Sequence, residues 1–364
     1  MKCRKSLAMF LSCAAIYSLF SFSQYNVFGA SEESNTTAAA ADPETKTYIE
    51  ETLNLANNAE QAWTYSADSD SWVMSIVSAV AYPELPEQQG VSVCVPGAYV
   101  TGIDTNGDGQ EDVLPDDAGE EAVNGSLVIN YETEITSTNG QTYTAATAPV
   151  ILNTGAAGYG SQSNSPAAAT YAADGYINVA CGNRGKQDTA VDEEGNTYYT
   201  GDAPSCLADQ KAAARFIRYN ILLGNLPGST EYLISTGGSG GGAHAVMFAA
   251  TSDNADFYDY QIEAGAVGVY YTEDGGYSTT VAIDGNDYEI SDGAWGCIAY
   301  SPITSLAEAD MALAFEYYLD TDYEFSTDFQ AQLSEYLSQA YMEYINGQNL
   351  SVNESLTIKS QDLK

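Results

Sequence analysis

A single histidine, His244, serves all 364 residues, and 11 Lys and Arg face 50 Asp and Glu. The scarcity of imidazole argues against a histidine-built metal centre. The formal net charge of −39 argues against nucleic acid and anionic membrane as partners, because neither accepts such a field. Long apolar runs are also scarce. The one present, from Leu7 to about Phe22, follows Lys2, Arg4 and Lys5 and precedes a small-residue site at Val27-Phe28-Gly29-Ala30-Ser31. That pattern is a secretory signal peptide over residues 1–30, too short for a comfortable membrane span, and it places the mature chain outside the cell. A lipoprotein reading through Cys13 is weaker, since Phe10-Leu11-Ser12 makes a poor lipobox. Neither CxxC nor a Cys/His cluster marks a zinc site. Beyond the leader remain Cys94, Cys181, Cys206 and Cys297. Export permits disulfides, and Cys181–Cys206 is the favoured pair because the two flank one short crossover. Four buried thiols acting as small hydrophobes is the alternative.

Residues 31–45 are a polar, low-complexity linker, with a short helix expected around Tyr48–Asn57. Strand-like runs follow at 72–82, 91–100, 126–135 and 148–153, and Asn139-Gly140 marks a hairpin turn. The pattern then changes to strand, loop, helix, strand. Tyr176–Cys181 is a strand, Leu207–Leu223 a helix, Tyr232–Thr236 a strand, and another helix starts near Gly242. A further strand spans Gly296–Ser301. Hairpin strands leading into βαβ units indicate an α/β fold, a mixed sheet with helices on both faces. Residues 46–304 form this core, 270–288 a surface hairpin, and 305–364 a helical segment. In that segment Phe329, Leu333, Leu337, Ala340 and Tyr344 repeat at helical spacing.

The chemistry-bearing run is Gly237-Gly238-Ser239-Gly240-Gly241, a GxSxG directly after an apolar strand and before a helix of small residues. Its glycines permit a sharp turn that holds the Ser239 hydroxyl above the end of a sheet. His244 lies five residues on, down the following helix, with poor geometry for reaching that hydroxyl.

Five stretches in order resemble the bacterial tannases of subtype B, with feruloyl esterases as close chemical neighbours within the α/β-hydrolase family. They are Ala148-Pro-Val-Ile-Leu-Asn-Thr-Gly-Ala-Ala-Gly-Tyr159, Gly182-Asn-Arg-Gly185, the segment Gly201–Asn220, Ser235-Thr-Gly-Gly-Ser-Gly-Gly-Gly-Ala243, and the segment Tyr300–Ala312. The resemblance runs from about Trp63 onward. It implies a mostly parallel sheet and a serine esterase acting on aromatic, gallate-type esters through an acyl-enzyme, with no cofactor required. It also implies an oxyanion hole from the backbone N–H of Gly240 and of Ala157 or Gly158. The family's triad runs Ser, acid, His along the chain. Only 125 residues follow Ser239, so the last strands, the triad acid and base, and much of a helical lid are expected to be missing. Weak or no activity is the corresponding expectation. The alternative is a non-catalytic fragment or binding protein of the same fold.

Asp104-Thr-Asn106-Gly-Asp108-Gly109-Gln-Glu-Asp112 reproduces the first nine positions of an EF-hand loop. Asp104, Asn106, Asp108 and Asp112 are therefore candidate ligands for a structural Ca2+, although Pro115 stands where a bidentate Glu belongs. Arg184, Lys211, Arg215 and Arg218 are expected to be structural cations paired with acids such as Asp188, Asp202 and Asp209. Arg184 is also placed to meet a substrate carboxylate or hydroxyl.

Overall fold

The computed structural model describes residues 41–352 with 354 and 355, except 120, 193, 304 and 305. The expected leader and most of the linker lie outside these residues. The chain divides into two compact units. One is Thr36–Pro302, and the described part of the other begins at Ile303. Among the described residues no helix is long and apolar enough to cross a membrane.

The first helix, α1 (Pro43–Thr52), starts earlier than the apolar pattern suggested. Asp42 caps it by accepting the Glu44 amide, and Pro43 occupies the first helical position, where its missing N–H costs nothing. The sheet then builds from short strands: β1 (Ala62–Ser66), β2 (Ser71–Met74), β3 (Val77–Ser78), β4 (Gly90–Pro96), β5 (Val123–Asn124), β6 (Val150–Asn153), β7 (Ile177–Cys181), β8 (Leu233–Gly238) and β9 (Gly296–Tyr300). Their order is β9-β8-β6-β7-β4-β2-β1-β5, with β3 paired to β4. β9, β8, β6 and β7 run parallel, and from β4 onward the pairings are antiparallel. The sequence shows the same change of style, hairpin strands first and crossovers after. Asn139-Gly140 makes its turn, joining Glu134–Thr136 to Thr142–Thr144. The expected single hairpin over 270–288 is two, Tyr270–Tyr271 with Tyr277–Ser278 and Thr280–Ile283 with Asn286–Glu289.

Every residue of β4 is buried, and Val150, Leu152, Ile177 and Leu233 of the parallel strands lie in the core with Trp63 and Trp72. Side chains of this kind each stabilise by about 1.5–3 kcal/mol when fully buried. Against them packs α2 (Ser205–Leu222), whose Phe216 and Ile217 are buried. The helix after β8 is α3 (Gly240–Ala250), followed by the short α4 (Tyr258–Glu263).

In the second unit α5 (Leu306–Leu319) and α6 (Asp328–Gly347) pack together. The buried line of α6 is Ser334, Ser338 and Met342, and Phe329 is 67% exposed. Of the apolar face read from the sequence, Leu333, Leu337, Ala340 and Tyr344 are half-buried beside this line, and Phe329 departs from it. Ser334 and Ser338 each donate a hydroxyl to the Ala314 carbonyl, both at 3.0 Å, so small polar residues sit where the helices approach closely.

Candidate active site

β8 ends at Gly238 and α3 begins at Gly240, so Ser239 alone makes the bend from strand to helix. It has φ 56° and ψ −121°. Such a conformation costs a non-glycine residue on the order of 1–3 kcal/mol and persists where surrounding structure enforces it. Here the enforcement is visible. The Ser239 amide donates to the Tyr300 carbonyl of β9 at 3.0 Å. Gly237 and Gly241 are buried with no room for a side chain: a Cβ on Gly237 would meet the Gly241 carbonyl, and one on Gly241 the Gly155 carbonyl. Ser239 itself is exposed.

Beside the bend lies the turn after β6. Ala156, Gly158 and Tyr159 are all left-handed, with φ of 56°, 64° and 61°. Most of its amides are engaged. Thr154 N donates to Thr236 O (2.8 Å), Tyr159 N to Ala156 O (3.0 Å) and Gly160 N to Ala157 O (3.2 Å). Gly155 N donates to Asn153 Oδ1 and Ala156 N to Gln162 Oε1, both at 3.1 Å. Among the described residues, the N–H groups of Ala157, Gly158 and Gly240 have no such partner. Ala157 and Gly158 are exposed, and a Cβ on Gly240 would stand 2.8 Å from Gly158 N. Free amides of the turn and of the α3 N-terminus therefore lie close together, an arrangement suited to receiving negative charge.

His244 is one turn into α3 and 4% exposed. Its Nδ1 lies 3.4 Å from Cys206 Sγ and 3.3 Å from Gln210 Oε1, both on α2, and its ring is 5.7 Å from that of Tyr159. Burial lowers its pKa from 6.5 to about 4, leaving a neutral ring at neutral pH. Its partners are thus on α2 and the ring of Tyr159, and no hydrogen bond joins it to the Ser239 hydroxyl. The expected Cys181–Cys206 bridge is not formed; all four cysteines beyond the leader are free thiols. Cys181 donates to the Asn153 carbonyl at 3.5 Å while Cys206 faces His244, so each thiol has its own neighbour. Burial pushes both upward in pKa, Cys181 to about 12.

Arg184 is closed off from substrate. Its Nε and Nη2 donate to Asp209 at 3.0 Å each, and its Nη1 to Glu84 at 2.6 Å. It is a structural cation, as are the three of α2, though with partners other than Asp188 and Asp202. Asp188 accepts the Gly185 amide at 2.7 Å. Lys211 and Arg215 share Asp292 at 2.9 and 3.4 Å, and Arg218 donates to the carbonyls of Thr230, Ser291 and Gly293.

The acidic loop follows the strand Val100–Asp104. Asp104 accepts the amides of Asn106, Gly107 and Gly109 at 2.7–3.0 Å, and Asp112 accepts the Thr105 amide and hydroxyl and the Asn106 side chain. Asp108 caps the Gln110 amide at 2.9 Å. These donors, Gly109 foremost for Asp104 and the Thr105 hydroxyl for Asp112, hold the two carboxyls below the usual range. Among the described residues no group of three or more His, Cys, Asp or Glu is placed to hold a metal ion.

Two residues of the site have no sequence motif. Gln162, half-buried, binds the middle of the turn after β6, and Gln210, fully buried in α2, donates to the Thr154 carbonyl at 2.7 Å. Only burial reveals them, because a glutamine in a polar loop or among alanines reads as solvated surface.

No protein-family model and no curated protein matches the chain. Solved structures do. The native tannin acyl hydrolase from Lactobacillus plantarum is 25% identical with a TM-score of 0.51, over 79% of this chain and 54% of that one. The Fusobacterium nucleatum tannase is 20% identical with a TM-score of 0.55, over 84% and 60%. A tannin acyl hydrolase in complex with 3,4-dihydroxybenzoate is 23% identical with a TM-score of 0.55, over 85% and 59%. The chain thus spans between 54% and 60% of the length of these structures. It shares its fold with the bacterial tannases, on the α/β-hydrolase architecture.

Proposed function

We propose that this chain belongs to a serine carboxylic-ester hydrolase in which Ser239 takes the acyl group. The observation that carries the reading is an exposed serine held in a strained strand-to-helix bend beside the free amides of Gly240, Ala157 and Gly158. Ser239 Oγ would attack the ester carbonyl carbon, its proton passing through water to the departing alkoxide. The carbonyl electron pair moves onto oxygen, where the free amides receive it, and collapse expels the alcohol and leaves an acyl-enzyme. Water then releases the acid. Aromatic, gallate-type esters are the proposed substrates. The tannin acyl hydrolase solved with 3,4-dihydroxybenzoate supports that class. Export through the leader at 1–30 belongs to the same proposal.

Within these residues the hydroxyl has no imidazole at hand, so slow turnover is expected. Preorganised amides and binding alone retain roughly 10³–10⁴-fold acceleration over water in serine hydrolases stripped of triad members. Release of gallic acid from ethyl gallate should exceed the buffer rate, and mass spectrometry of the quenched reaction should find a galloyl group on the peptide carrying Ser239. Release at the buffer rate, or release with no galloyl group on that peptide, would contradict the proposal. A second reading, a binding protein with an inert serine, is favoured by the burial of His244 against α2. It requires ethyl gallate to bind without release of acid.

A further inference from the structure

We propose that Gln162 is a positioning residue that sets which amides of the turn face an acyl oxygen, a role that rests on the ester-hydrolase reading above. Gln162 is held at its own backbone first. Its N–H donates to Asn183 O at 2.9 Å, and its carbonyl accepts Asn183 N at 3.0 Å, just past the end of β7. Its side chain then crosses back beneath the turn. Oε1 accepts Ala156 N at 3.1 Å, and Nε2 donates to Cys181 O at 2.9 Å. The amide group lies so close under Gly155 that a Cβ there would overlap it.

This placement decides the free donors. Ala156 adopts φ 56°, which an alanine leaves readily unless its amide is captured. With that amide on Gln162, the next two, of Ala157 and Gly158, stay unpaired and exposed. Without Gln162, Ala156 can return to a right-handed conformation, and the peptide planes beyond it rotate away. The start of the turn has separate anchors. Thr154 Oγ1 donates to Gly241 O at 2.8 Å and Gln210 Nε2 to Thr154 O at 2.7 Å. Loss of Gln162 therefore redirects the middle of the turn while the bend at Ser239 stays in place.

The test uses Ser239→Cys in a background with Cys3, Cys13 and Cys297 each changed to serine, so that neither the exposed thiol among the described residues nor those of the leader compete. The introduced thiol is offered two reagents. p-Nitrophenyl acetate transfers its acetyl group through an oxyanion: the S–C bond forms, the C–O bond breaks, p-nitrophenolate leaves and the thiol proton passes to water. Iodoacetamide alkylates by displacing iodide and develops no oxyanion. Gln162→Leu and Gln162→Met should each slow acetyl transfer about tenfold or more, the size of effect expected when oxyanion donors are misplaced. Alkylation should stay within about twofold of the parent, the allowance a displacement that builds no oxyanion leaves. Unchanged acetyl transfer in the Leu and Met variants would overturn the role while leaving the ester-hydrolase reading intact, and so would an equal fall in both reactions. Alkylation without acetyl transfer in the parent would overturn both.

Discussion

Replacing Asp292 by alanine is expected to lower the unfolding free energy by about 3–5 kcal/mol, because removing one partner strands buried charge. Asp292, Lys211 and Arg215 are each fully buried. One carboxylate serves both cations, and it also accepts Gln261 Nε2 and the Asp253 amide, each at 2.8 Å. Burial opposes its charged form, but Arg215 and then Lys211 outweigh that and hold its carboxyl below the usual range. Lys211→Met should cost less, since Arg215 would remain paired. Both values come from urea unfolding followed by tryptophan fluorescence, for which Trp63 and Trp72 are fully buried reporters. A total stability of 5–15 kcal/mol is usual, so the Asp292 variant would stand near the edge of folding. A loss under about 1 kcal/mol would mean that the two cations find water instead, and that the cluster is weaker than its burial implies.

His244 should make the fold acid-sensitive in a defined window. Its folded pKa of about 4 lies below the value of 6.5 for an unperturbed histidine, and burial is the cause. The unfolded chain therefore binds the proton more readily. The stability that a neutral, buried ring contributes is fully present above about pH 6.5 and is lost as pH falls toward 4. A difference of this size corresponds to about 3 kcal/mol. Because the chain holds one histidine, its Cε1 proton resonance is unambiguous. It should not shift between pH 8 and 5, and His244→Gln should flatten the fall in stability across pH 6.5–4. A midpoint near 6.5 in the folded protein would place the ring in water and return it to consideration as a base for Ser239.

The legible parts were those carried by local pattern. The GxSxG run names its own geometry, because glycines on both sides of a serine after an apolar strand leave few alternatives, and Ser239 sits at that bend. The strands β6, β7 and β9 and the helix α2 fall within two residues of their expected limits. The illegible parts depend on partners distant in sequence. The cations of α2 announced a need for acid, yet Asp292 lies about 80 residues away and looks like any loop aspartate. Cys181 and Cys206 were paired on shared surroundings, whereas Cys206 faces the histidine of α3. In α6 the apolar spacing gave a face whose Leu333, Leu337, Ala340 and Tyr344 are half-buried, but Phe329 is exposed and close helix approach places serines at the most buried positions, where their hydroxyls satisfy a carbonyl of α5. Arg184 looked available to substrate until Asp209 and Glu84 closed around it.

The central claim concerns one hydroxyl, and a fluorophosphonate probe tests it directly. After reaction with the full chain, digestion and mass spectrometry should find the phosphonyl group on the peptide carrying Ser239, slowly incorporated, lost on Ser239→Ala and lost on unfolding in urea. Label spread over other serines, or incorporation unaffected by Ser239→Ala, would contradict the account.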